Sequence, residues 1–274
     1  MNQTCTTGLL SRSILKDRAK GALSGKYGQF IAACITINII TLSAQNIASV
    51  IVSVLLGGFS TEALTVANYI VLTVCQIFLS VFKVGLALLA LNLACGQPAA
   101  LSDIFHGFNN QFDKALKISA VSVLISQLTQ IPTSFISNMA LQTDMNLTHI
   151  GALLLILLVC SVIYILLYLG FSQVYFLFLD FPEYSAGQLM KLSFHIMKGH
   201  KGRLFLLELS FLPLIFLSLL TLGLGDLWLT PYMQLTYTFF FLNLMQAGQP
   251  AHNHDHPSNG WFARPYKGQL PASA

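Results

Sequence analysis

Six stretches of this chain are each long and apolar enough to cross a lipid bilayer. Nothing else in the sequence limits the fold as sharply, because a spanning helix needs about 20 mostly apolar residues. The first stretch lies within 27–56, with a bend expected near Gln45–Asn46. The second covers about 67–95, the third about 115–137 with Pro132, and the fourth about 150–179. The fifth covers about 204–222 with Pro213, and the sixth about 227–245. In lipid, backbone polar groups must be satisfied within the segment, which selects helices. The expected fold is therefore all-α: a polytopic membrane helix bundle of six transmembrane helices over residues 1–246. A polar tail, 247–274, is expected to be disordered and cytoplasmic. Only 9% of the 274 residues are charged, against about a quarter in soluble domains, so lipid replaces water over much of the surface.

Basic residues orient the bundle. Arg12, Lys16, Arg18, Lys20 and Lys26 precede the first stretch, and Lys114 and Lys117 precede the third. Lys191, Lys198, Lys201 and Arg203 precede the fifth, and Arg264 and Lys267 follow the sixth. The loops at 57–66, 138–149 and 223–226 hold none. The positive-inside rule puts both termini and these basic loops in the cytoplasm of a multi-pass cell-membrane protein. Residues 1–26 are polar and basic, so no secretory signal peptide is expected. The expected partners are the bilayer and its anionic headgroups, met at the inner face by Lys198, Lys201 and Arg203. Basic residues scattered over inner loops give no nucleic-acid surface. The protein partner and oligomeric state are left open.

A pattern recurs before each odd-numbered stretch. Leu101, Ile104, Phe105, Phe108 and Phe112 share one helical face. Leu10, Ile14 and Leu15 stand against Arg12, Lys16 and Lys20 in the same way, as do Leu189, Met190, Ile196 and Met197 against Lys191 and Lys198. A glycine lies close by each, Gly25, Gly107 and Gly199, and Lys26, Lys114 and Lys201 follow at spacings of 88 and 87. This predicts cytoplasmic-side amphipathic helices near 10–22, 100–112 and 187–198, each leading a transmembrane hairpin. Three such units would share one orientation.

The run from Ser193 onward contains Met197-Lys198-Gly199, Leu204-Phe205, Ser210-Phe211, Gly223, Gly225, Leu227-Trp228 and Pro231-Tyr232. Residues 84–108 place a glycine in the second stretch before a polar turn and an Asp-x-Phe-x-Gly-Phe run, Asp103, Phe105, Gly107 and Phe108. In these marks the chain resembles the uncharacterised bacterial integral membrane proteins of domain-of-unknown-function family 975. It departs from them at Leu212-Pro213, where that family tends to have glycine and tryptophan. The resemblance implies a multi-pass membrane protein and no established activity.

Lys83 is the one basic residue outside the inner loops and termini, near the middle of the second stretch. A lysine at the bilayer centre costs roughly 2.5–3.5 kcal/mol on insertion scales, so something must offset it. Glu208, a turn or so into the fifth stretch, is the candidate partner. Asn38 and Gln45 of the first stretch could join them in a polar site. The structural alternative is an ion pair, or lysine snorkelling to the inner headgroups.

Enzyme readings fail. Gly223-Leu224-Gly225-Asp226 matches the G-x-G-D pattern of intramembrane aspartyl proteases, which need two adjacent carboxylates. Asp180 is expected at the inner face and Asp226 at the outer one, about 30 Å of hydrocarbon apart. No HExxH, G-x-S-x-G, P-loop or Rossmann pattern is present. No cofactor or metal is expected. The five cysteines read as apolar fillers, and His252, His254 and His256 as a solvated tail. The expected role is a non-catalytic accessory or scaffold in the envelope. The alternative is a transporter or lipid-handling permease using Lys83 and Glu208. A cavity reaching Lys83 separates the two, since a scaffold expects a dry, packed interior.

Overall fold

The computed structural model describes residues 9–142 and 147–247, all helix and connecting turns. The tail beyond Ala247, with its histidines and with Arg264 and Lys267, lies outside the described residues.

The chain forms three helical hairpins. α2 (Tyr27–Leu56) turns back into α3 (Thr61–Leu79) and α4 (Phe82–Ala94). α6 (Phe112–Gln142) pairs with α7 (Leu147–Phe171), which continues as α8 (Val174–Asp180). α10 (Lys201–Leu209) packs on α7 and leads into α11 (Leu212–Leu220), which turns back into α12 (Asp226–Ala247). Short helices stand before each hairpin: α1 (Arg12–Leu23), a 3-10 turn with α5 (Leu101–Phe105, then His106–Asn109), and α9 (Ala186–Ile196). These are the three places where amphipathic helices were expected.

Local chemistry explains the ends. Ser11 caps α1 by accepting from the Ile14 N–H, and Gly25 takes a positive φ of 74° that ends it. Ser185 and Gln188 form a reciprocal capping box at the start of α9. Within α2 and α3, Thr36, Asn46, Thr65 and Thr73 each bond the carbonyl four residues back. Their polar groups are thereby satisfied without water. α2 runs unbroken through Gln45–Asn46. Asn46 spends its amide on the Leu42 carbonyl of the preceding turn.

The short helices fold back antiparallel along the second helix of a hairpin. The 3-10 turn and α5 lie along α4, where Gly85 meets the Ile104 backbone and Gly107 meets Val81. α9 lies along α7 and α8, with Ser193 Oγ donating to the Gly170 carbonyl at 2.7 Å. α1 lies along α12. There the Leu10 N–H donates to Asn243 Oδ1 at 2.9 Å, and Lys20 sits over the Tyr232 ring. Leu15, Ala19 and Leu23 of α1 are fully covered. α4, α8 and α12 meet in the middle, where Phe176 and Phe241 stack at 5.0 Å.

Four helices among the described residues are long and apolar enough to cross a membrane: Tyr27–Leu56, Thr61–Ala94, Leu154–Asp180 and Lys201–Leu220. Leu42, Val54, Leu158 and Phe216 on them are all at least 60% exposed. Apolar faces of this extent are compatible with a membrane protein. α6 and α12 fill the places of the expected third and sixth spans but are less apolar. α12 is buried from Leu235 through Met245 with few gaps. Within this buried helix Thr236 and Thr238 bond the carbonyls four residues back, and Asn243 accepts from the Leu10 N–H.

Candidate functional site

Three long helices are interrupted, and each interruption includes a serine. α3 gives way to α4 at Ser80–Val81, α7 to α8 at Ser172–Gln173, and α10 to α11 at Ser210–Phe211. Tighter i to i+3 bonds bridge the first and third breaks, Lys83 N–H to Ser80 O and Phe211 N–H to Glu208 O. Pro213, which offers no N–H, sits in the first turn of α11 and accounts for the third. At the second, Ser172 Oγ returns to the Leu169 carbonyl and receives Gln173 Nε2.

These breaks converge on one cavity of about 290 Å³. Lys83, three residues past the first break, lines it, and so does Glu208, two residues before the third. Gln173 at the second break joins them with Tyr175 of α8. Tyr168 of α7, Gln234 and Tyr237 of α12, and Ser122 of α6 complete the polar wall, while Leu86, Phe171 and Phe176 supply apolar surface. Interrupted helices in membrane proteins free backbone and polar side chains for a ligand at such depth.

Among the described residues no ion pair within 4.0 Å joins Lys83 to Glu208. The two charges share a cavity without neutralising each other. Gln173 is only 1% exposed, yet its Oε1 has no hydrogen-bond partner, while the Tyr175 hydroxyl lies within reach of the Ser119 and Ser122 hydroxyls. Buried polar atoms are normally paired, so this wall has acceptor capacity to spare at Gln173.

Lys83 also lines a further cavity of about 260 Å³. Gln45, Thr41, Gln76 and Ser126 line it, and Lys83 and Leu86 belong to both walls. Gln76 accepts from Gln127 Nε2 at 3.4 Å, and Tyr69 donates to Gln127 Oε1 at 2.8 Å. Gln127 is buried, so a polar chain runs from Tyr69 through Gln127 and Gln76 toward Lys83.

The structure thus brings Lys83 together with Glu208 on one cavity and with Gln45 on the other. Asn38 lies on an exposed face of α2 and lines neither. Gln76, Gln127, Gln173 and Tyr175 escaped sequence reasoning. The available signal was amide side chains inside apolar spans. Of the expected headgroup contacts, Lys198 is exposed. Lys201 donates to the Leu166 carbonyl at 3.1 Å and lies over Phe194. Arg203 donates to the Leu10 carbonyl at 2.7 Å and helps hold α1 in place. Asp226 of the G-x-G-D run accepts from Ser218 Oγ at 2.7 Å across its own turn. No group of three metal-ligating side chains occurs among the described residues.

No curated protein and no solved structure matches the chain. Residues 9–248 match the model of a family described as "Protein of unknown function (DUF975)".

Proposed function

The chain belongs to that family, and from this premise we propose that it is a six-span cell-membrane protein that binds a polar ligand inside its bundle. Both termini face the cytoplasm, and the three hairpins are repeats of one unit around an axis along the membrane normal. The placement of basic residues before each hairpin supports that topology. So does the common use of a short antiparallel helix beside α4, α8 and α12.

The observation that carries the ligand site is the cavity of about 290 Å³ holding Lys83 and Glu208. A pure scaffold needs no such space, and a lysine and a glutamate are costly to keep there. The favoured role is therefore transport or ligand handling, with Lys83 between two cavities as the residue a ligand would pass. The second reading, a non-catalytic envelope scaffold, would treat the cavity as a packing defect.

Cysteine accessibility decides between them. In a background with Cys5, Cys34, Cys75, Cys95 and Cys160 replaced, Ser122→Cys should react with a small membrane-impermeant thiosulfonate, and lipid-facing Leu158→Cys should not. Ser60→Cys should label only from outside and Lys198→Cys only from inside. An unreactive Ser122→Cys in a folded protein returns the case to the scaffold. Labelling of Ser60→Cys from the cytoplasmic side would overturn the topology.

A further inference from the structure

We propose that the cavity takes a small zwitterion, its acidic group at Lys83 and its ammonium at Glu208 and Gln173. This rests on the ligand-site reading above and names the class of ligand.

The argument is one of matching. Lys83 and Glu208 line the same cavity and do not pair with each other among the described residues. A ligand bearing only an acid or only an amine would meet one of them and leave the other facing a poor partner. Lys83 is exposed to these cavities and Glu208 half-buried, and charges within an apolar span are costly unless matched. A molecule with both groups meets both. Gln173 Oε1 is buried, unpartnered and an acceptor, so it calls for a donor. An ammonium has three N–H groups to share between that oxygen and the Glu208 carboxylate.

Size narrows the class. A volume of about 290 Å³ sits at the lower edge of small-molecule sites, which run from about 300 to 1,000 Å³. It suits something the size of an amino acid and is too small for a lipid with its chains. The headgroup of an aminophospholipid carries the same pair of charges, so the two sources share one chemistry.

The test uses the full-length protein in phosphatidylglycerol nanodiscs. Glycine, L-alanine, L-glutamine and phosphoethanolamine are titrated by calorimetry. Each is paired with its N-acetyl derivative, and the amino acids also with their methyl esters. At least one zwitterion should bind, and blocking either charge should weaken it by about tenfold or more. Lys83→Gln should erase only the preference for acid over ester. Glu208→Gln should erase only the preference for amine over acetylated amine. If binding is lost when phosphatidylethanolamine is added to the disc, the source is the lipid headgroup. If amino-acid binding ignores that lipid, the source is a free solute. Either supports the zwitterion. Failure of every zwitterion to bind, or equal binding of blocked and unblocked forms by the unsubstituted protein, overturns it. With Ser122→Cys reactive, such a failure removes the ligand class alone. With Ser122→Cys unreactive, the ligand site goes too.

Discussion

At Gly85 the α4 backbone and the Ile104 backbone approach so closely that no Cβ fits between them. The obstacle is main chain, which cannot rotate away. Gly85→Ala is therefore expected to destabilise the solubilised protein by about 1–3 kcal/mol, the usual cost of overpacking, read as a lower melting temperature. Gly187, exposed near the start of α9 with open space around it, is the control. Gly187→Ala should be neutral or stabilising by up to about 1 kcal/mol. Equal losses at both sites would mean that the close approach does not hold the turn against α4. At this scale the sequence was partly readable. Lys83 and Glu208 stood out because charge is rare in apolar stretches. Gly85 was marked only through the family resemblance, because a glycine in a helix looks the same whether it faces lipid or a crossing backbone.

At the scale of elements, lengths and positions of helices were legible and their interruptions were not. A run such as 67–95 is mostly apolar, and hydropathy cannot register the break at Ser80–Val81 that precedes Lys83. Only Pro213 announced its break by its own chemistry. The short helices were visible as amphipathic faces, but the face showed only that they pack, and the antiparallel seat on the neighbouring helix is a tertiary choice. α9 depends on its capping box, in which Ser185 Oγ accepts from the Gln188 N–H and Gln188 Oε1 from the Ser185 N–H. Ser185→Ala should cost about 1 kcal/mol and speed amide exchange over the first turn of α9. Unchanged exchange there would show that packing on α8 alone holds the helix start.

For the whole molecule, lipid as solvent could be read from composition, while the meeting of α1 with α12 could not. That contact joins residues 233 positions apart, through the Leu10 N–H and Asn243 Oδ1, and nothing local encodes it. Leu10→Cys with Asn243→Cys, in the cysteine-replaced background, should form a disulfide on mild oxidation. A protease site inserted at 143–146 provides the readout, since the two halves would then stay joined on a non-reducing gel. Phe59→Cys with Asn243→Cys should leave them separate. Joining in the second pair, or none in the first, would contradict the seat of α1.

The same contact sets a timetable for making the protein. Chains elongate at about 5–20 residues per second, so on the order of ten seconds to most of a minute separates synthesis of α1 from arrival of its seat. Through that interval Leu15, Ala19 and Leu23 have no α12 to cover them. A nascent chain stalled or truncated before α12 would keep this apolar helix face uncovered. Quality-control proteases could read that as the mark of an unfinished bundle, and completion of the last helix would erase it.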